Sequence, residues 1–265
     1  MVTTFGAGLR PTFVRHLSAA AAELGLDVEW LSDYWIARVR RDGVTRTVIG
    51  YAFPLNLASA SQLASDKAGA STLLAGAGVP VFGHELFRFQ GVERERWSEV
   101  VGAVGLPLVL KPHMESGGID VMRVASLVEL DGALEFLAGK YRAIALSPYR
   151  EIEDEYRVVV LDGEVPLTYR KVRAGEGEWR HNLRLGAVPG VVAEGEFRGG
   201  LVVMAQRAAE VLGLRFCTVD IATVGGVAEV LEVNSSVTLE RFAQHSPQND
   251  ELAYGVYRDA LSAAF

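Results

Sequence analysis

The residues with the plainest chemistry are three oxygen-bearing side chains near the C-terminal end: Asp220, Glu232 and Asn234. They lie in two β-rich runs, 215–224 and 227–233, joined by Gly225-Gly226, which predicts a hairpin. Period-2 alternation puts Glu232 and Asn234 on one face of the second strand, with Leu231 and Val233 on the other. Asp220 stands between Val219 and Ile221, and a charged carboxylate inside an apolar run is costly unless something pairs with it. The turn decides what meets it. A two-residue Gly-Gly loop pairs Asp220 with Leu231; a three-residue loop through Val227, or one bulge, sets it opposite Glu232. The second geometry makes an all-oxygen cluster suited to Mg²⁺ carried by phosphates. The competing reading is a solvated hairpin face with scattered acids.

Cations elsewhere match that chemistry. Ser65 is a good N-cap, with Asp66 and Lys67 in the first turn of a helix ending near Gly78. Lys67 opposes the helix dipole, which suggests a nearby phosphate; an exposed lysine is the bland alternative. The apolar strand 106–112 ends in Lys111-Pro112, followed by Ser116-Gly117-Gly118 and a returning strand at 121–124. Such a turn offers backbone N–H groups as an anion nest, and it is not a P-loop, since no GxxxxGK[ST] is present. Arg170, Lys171, Arg173, Arg180, Asn182 and Arg184 gather five cations and an amide downstream, an arrangement suited to a polyphosphate. His113 reads as a turn residue, because no second histidine sits at metal-ligand spacing.

Composition narrows the classes. The net charge of −7 carries no nucleic-acid footprint, and one cysteine, Cys217, excludes an internal disulfide. No apolar run reaches the roughly 20 residues of a membrane span, and MVTTFGAGLRPTF lacks a secretory h-region. A cytoplasmic, soluble protein is expected, with no nucleic-acid or membrane partner.

Positioning these groups requires a set of elements legible in order. Pro11 opens a helix through Leu24; strands follow at 28–31, 35–39 and 45–51, with Asp42-Gly43 as a turn. An amphipathic helix is expected at 93–104. A second, capped by Ser126, spans Leu127–Ala138 with Leu127, Leu130, Ala133 (or Leu134) and Leu137 inward. Strands at 156–161 and 164–169 flank Asp162-Gly163, a strong hairpin signal. With a two-residue loop there, Glu155 faces Arg170, a surface ion pair worth at most about 1 kcal/mol. Helices at 196–212 and 250–264 complete the chain.

The order of these parts resembles the ATP-grasp superfamily, most closely the ribosomal-protein glutamate ligases and their amino-acid-ligase relatives. Ser-Asp-Lys, Ala-Gly-Val-Pro-Val, Leu-Val-Leu-Lys-Pro with Ser-Gly-Gly, Glu-Tyr-Arg, Trp-Arg-His-Asn-Leu, Val-Asp-Ile and Leu-Glu-Val-Asn occur in that order over roughly residues 60–262. The resemblance implies an α+β ATP-grasp fold with the nucleotide between two α+β subdomains. The expected divisions are a shortened N-terminal α/β region at 1–60, a lid-bearing subdomain at 61–146 and a metal-site subdomain at 147–265. It implies Lys67 and Lys111 on the ATP phosphates, Ser116, Gly117 and Gly118 as the lid, and Ser147, Pro148 and Tyr149 at adenine. Glu155 would take the ribose, Arg180 and Asn182 the phosphate and metal side. Asp220, Glu232 and Asn234 would hold one or two Mg²⁺, or Mn²⁺. The twelve-residue spacing of Asp220 and Glu232 agrees with that family and favours the three-residue loop or bulge. Asp120 and Pro148 depart from its pattern, and Arg184 sits one place before its usual basic residue.

The activity implied is a carboxylate–amine ligase working through an acyl phosphate on an amino acid, peptide or similar small acid. Arg170, Arg173 and Arg184 are the candidates for the transferred group, with Arg184 on the tetrahedral intermediate. A kinase of the same fold and a non-catalytic nucleotide-binding protein are the alternatives. The short N-terminal region leaves room for a homodimer.

Overall fold

The computed structural model describes residues 11–115, 117–175 and 177–265. Helix α1 (Pro11–Glu23) leads into an antiparallel three-stranded sheet, β1 (Asp27–Leu31), β2 (Ile36–Arg41) and β3 (Val44–Ile49). Asp42 and Gly43 both take positive φ, as a tight two-residue turn demands. Two helices follow, α2 (Ala58–Ser65) and α3 (Lys67–Gly76). Asp66, not Ser65, caps α3: its Oδ1 accepts the Gly69 N–H at 2.7 Å, while Ser65 ends α2 and bonds back to the Ser61 carbonyl.

The next unit contains β4 (Glu85–Arg88), α4 (Trp97–Gly102), β5 (Leu108–Pro112), β6 (Met122–Val124), α5 (Leu127–Ala138) and β7 (Ala143–Pro148). Its four strands run in the order β4-β7-β5-β6, all antiparallel. The helix expected at 93–104 is shorter, a 3₁₀ turn at Arg94–Arg96 running into α4. Ser126 caps α5 as expected, but Leu127 is exposed, and Leu130, Ala133, Leu134 and Leu137 form its buried face.

The largest sheet has five strands: β8 (Asp154–Leu161), β9 (Glu164–Val172), β10 (Val188–Gly190), β11 (Phe216–Val224) and β12 (Val227–Asn234). Its order is β10-β9-β8-β11-β12. Helix α6 (Glu196–Leu212) packs on one face with α2 and α3, burying Leu201, Ala205, Leu212, Cys217, Val219 and Ile221. The other face is covered in part by α1 and by α7 (Glu240–Ala243) and α8 (Pro247–Ser262), around Phe13, Phe53, Phe216 and Tyr257.

The lid-bearing unit expected at 61–146 is therefore smaller, because α2 and α3 belong to the core of the five-stranded sheet. The small apolar residues Ala60, Ala64 and Ala70, with Leu74, decide this: they fit against α6. Among the described residues no helix is long and apolar enough to cross a membrane.

Candidate active site

Two irregularities in strand pairing build the site. Gly225 and Gly226 form a two-residue turn with positive φ at both positions, and Val224 pairs with Val227. A bulge between Val230 and Glu232 then adds one residue, so Asp220 faces Glu232 and Thr218 faces Asn234. The added residue is Leu231, left without a partner on β11. Beside it, on the outer edge of β12, the Val230 N–H donates to the Pro80 carbonyl and its own carbonyl accepts from Phe82.

The second bulge lies in β9. Leu161 pairs with Glu164, but Val159 pairs with Leu167, so Val165-Pro166 oppose Val160. Proline has no N–H to donate to a ladder, which is why it collects at such places. The extra residue sets Glu155 opposite Lys171, not Arg170. Alternation then carries Lys171 to the inner face, while Arg170 pairs with Asp154 at 3.3 Å on the other side.

The result is a buried ionic cluster beneath the groove. Arg157 grips Asp220 with two hydrogen bonds, Nε to Oδ1 at 2.8 Å and Nη2 to Oδ2 at 2.7 Å. Lys171 Nζ lies 2.8 Å from Asp220 Oδ2 and 2.5 Å from Glu155 Oε1. Burial would push the Asp220 carboxyl up, but Arg157 and Lys171 outweigh it and hold the group below the ordinary carboxylate range. Glu155 moves the other way, raised by its own desolvation and only partly offset by Lys171. The surface ion pair expected for Glu155 is thus replaced by a buried pair with Lys171.

Above the cluster lies a cavity of about 800 Å³ between the four- and five-stranded sheets. Lys67, Lys111, Glu232 and Asn234 all line it. Among the described residues neither lysine has an acidic partner within salt-bridge distance. Lys67 donates to the carbonyls of Glu115 and His113, and Lys111 meets only the His84 imidazole, at 3.3 Å. Desolvation lowers both lysine pKa values below 10.5, with Glu232 as the leading opposing charge. Glu232 and Asn234 stand side by side, Asn234 Nδ2 donating to Glu232 Oε1 at 3.2 Å. Among the described residues no three acidic, histidine or cysteine side chains are arranged to hold a metal ion.

The profile of the RimK-like ATP-grasp domain matches residues 64–252. The chain belongs to the RimK-like ATP-grasp family. Among curated relatives it is 32% identical over 192 residues to a probable alpha-L-glutamate ligase of Azotobacter vinelandii, covering 71% of this chain and 61% of that one. Its identity to the Halorhodospira halophila probable alpha-L-glutamate ligase is 28% with the same coverage. A D-alanine–D-alanine ligase of Haemophilus influenzae is 34% identical over 122 residues, 44% of this chain and 39% of that one. The chain spans 61% of the length of the glutamate-ligase relatives it matches. Among solved structures, the Bacillus anthracis D-alanine–D-alanine ligase complexed with ATP superposes with TM-score 0.61 at 18% identity, over 78% of this chain and 66% of that one. The ATP-grasp ligase PsnB complexed with minimal precursor gives 0.53 at 23%, over 75% and 63%. The α+β ATP-grasp fold is thereby established for this chain.

In this RimK-like domain the remaining residues singled out from sequence fall as follows. Gly117 and Gly118 line the cavity with φ of +74° each, and a Cβ on Gly118 would come within 2.9 Å of Asn182 Nδ2, so the glycine turn lies against Asn182. Ser116 lies outside the described residues. Ser147, Pro148 and Tyr149 close the end of β7, the Tyr149 N–H donating to the Pro107 carbonyl at 2.8 Å. The Tyr149 ring lies under Arg123 at 3.9 Å and edge-on to Trp179. Arg180 lines the cavity but is already bidentate to Glu178, whose carboxyl it holds down at about 2. Asn182 Oδ1 caps the turn Leu183–Leu185 by accepting the Arg184 N–H, and the Arg184 side chain lines the cavity. Arg170 and Arg173, both expected at the transferred group, do not line it.

Sequence reasoning passed over Arg157 and His84. Arg157 had a signal: in Glu-Tyr-Arg-Val it shares a face with Glu155 in an otherwise apolar strand. His84 had none, since its partner Lys111 is 27 residues away.

Proposed function

We propose that this chain is an ATP-dependent carboxylate–amine ligase, forming an amide from a small acid and an amine through an acyl phosphate. The carrying observation is a pair of partly desolvated lysines, Lys67 and Lys111, lining one cavity with Glu232, with no acid among the described residues within salt-bridge distance of either. A half-buried cation without a counter-ion is held at a cost. A polyphosphate satisfies both at once, and the family match supplies ATP as the reading of that anion.

The residues present fit the metal that such a reaction needs. Glu232 keeps a carboxylate oxygen and Asn234 its amide oxygen for a hard cation, and Asp220, kept ionised by Arg157 and Lys171, lies directly across from Glu232. Mg²⁺ bound there would neutralise charge on the phosphoryl group in transit. Lys67 and Lys111 would add the protein's share of that neutralisation, and Arg184 would face the reacting carboxylate from the opposite rim. The glycine turn at 117–118 against Asn182 would exclude water, which otherwise hydrolyses the acyl phosphate. Tyr149 and Trp179 would offer an aromatic wall to adenine, whereas Glu155, expected at the ribose, is held by Lys171 in the cluster beneath the cavity. The amide names of the relatives, glutamate and D-alanine ligases, make an amino acid or peptide the substrate class to test first.

The test is ADP and phosphate release with pooled amino acids, peptides and small acids, with products weighed by mass spectrometry. A ligase releases both only when a carboxylate and an amine are present together. ADP without free phosphate would instead identify a kinase, and stabilisation by Mg-ATP without any turnover would identify a binding protein.

A further inference from the structure

His84 is 7% exposed and lies on the seam between the two sheets. The chain reaches it from Phe82, which is stitched to β12 through Val230, and its own backbone N–H donates to Ser71 Oγ on α3 at 3.3 Å. Its imidazole crosses to the other unit, where Nε2 lies 3.3 Å from Lys111 Nζ. An ammonium has only donors, so Nε2 must accept, and the proton sits on Nδ1. Burial, with Lys111 next to it, keeps the ring neutral, its pKa well below 6.5.

We propose that His84 is a positioning residue for Lys111: it takes one ammonium N–H, and so aims the lysine into the cavity, while leaving the positive charge unneutralised. The proposal rests on the reading that Lys111 meets the nucleotide's phosphates. The choice of a neutral acceptor matters. A carboxylate at this position would hold the lysine equally well but would pair with it, and the incoming phosphate would have to displace that pair. An apolar side chain would leave the ammonium with no fixed partner, free to swing out of line. The imidazole is the intermediate solution: directional and neutral.

The experiment compares His84→Gln, His84→Leu and His84→Glu by calorimetric titration with Mg-ATP, alongside KM for ATP and kcat. Glutamine keeps a neutral acceptor and is expected to bind within about threefold of the wild type, whereas leucine, losing a hydrogen bond to a charge, weakens binding about tenfold. Glutamate is expected to weaken binding at least as much as leucine, although it restores an acceptor. Equal binding by leucine and wild type, or equal loss in leucine and glutamine, overturns the proposal and makes His84 a packing residue. Should the leucine variant not fold, nitrogen NMR of the wild-type imidazole decides: a proton on Nε2 at neutral pH refutes the assignment. Lys111→Met separates the two claims. If it binds ATP normally, the phosphate reading falls; if it binds poorly while His84→Leu does not, only the role of His84 falls.

Discussion

Lys111→Met removes the charge at the centre of the functional reading and keeps the length of the side chain. The lysine is half-buried on β5 with one neutral partner, so its substitution breaks no ion pair among the described residues. A phosphate oxygen about 4 Å from an ammonium gains about 4 kcal/mol at an effective dielectric near 20. Part of that returns through water and Lys67, so a hundredfold loss of affinity, about 2.7 kcal/mol, is the working figure. With Mg-ATP at about 100 times the wild-type Kd, ligand linkage stabilises the wild type by about 2.7 kcal/mol and the variant by about 0.4 kcal/mol. In a chain of 265 residues this gives thermal shifts of about 5 °C and about 1 °C, at roughly 2 °C per kcal/mol. Differential scanning fluorimetry over a nucleotide series reads both. A variant with the full wild-type shift would mean that the cavity's desolvated cation does not face the nucleotide, and the main support for ATP binding would be gone.

Glu232→Gln should abolish turnover and leave the fold intact, with a stability change within about 0.5 kcal/mol by urea titration, since it removes a half-buried charge and no core volume. Near-normal turnover in that variant would remove Glu232 from the metal site. Asp220→Asn should behave differently: it leaves Arg157 without its buried counter-charge and Lys171 with Glu155 alone, and lowers unfolding stability by about 3–5 kcal/mol. A variant as stable as the wild type would show that the cluster is not held together by Asp220. Alkaline stability gives a signed test. Lys111 holds its proton less tightly in the folded chain than the ordinary 10.5, so between the folded value and 10.5 the unfolded chain binds more protons. Wild-type stability should therefore gain an increment as pH rises through that window, and Lys111→Met should lack it. Equal wild-type and variant slopes in urea unfolding between pH 8 and 10 would contradict the lowered lysine.

Turns were legible because their chemistry is local. Asp42-Gly43, Asp162-Gly163 and Gly225-Gly226 all adopt positive φ at both residues, as those pairs permit. Bulges are less so, because they answer to distant partners. The sequence left open whether Asp220 meets Leu231 or Glu232; the answer is a two-residue turn plus a bulge at Leu231, next to Val230, whose outer edge bonds to residues 80–82. Pro166 was a visible sign of the β9 bulge, and heeding it would have placed Lys171, not Arg170, across from Glu155. The unit boundary was misplaced for a similar reason. Lys67 sits near Lys111 in sequence order and in the cavity, yet its helix is fixed by alanines packed on α6, more than 120 residues later.

Charge balance explains how one groove can carry both sets of residues. Arg157, Lys171, Asp220 and Glu155 neutralise one another two against two, so this layer is satisfied without any ligand. A closed network of this kind is costly to break and therefore rigid. It fixes Asp220 across from Glu232 and sets the floor of the cavity. The groups above that floor are the reverse: among the described residues Lys67 and Lys111 bond only to carbonyls and an imidazole, and Glu232 only to an amide. Their charges line one cavity without pairing, so a ligand carrying both negative charge and a cation meets both. The same logic tells which mutations report on folding and which on binding. A substitution in the floor moves stability first, and one in the unpaired layer moves affinity first. Lys171→Met and Lys111→Met, the same exchange on a buried and a half-buried lysine, therefore give opposite signatures.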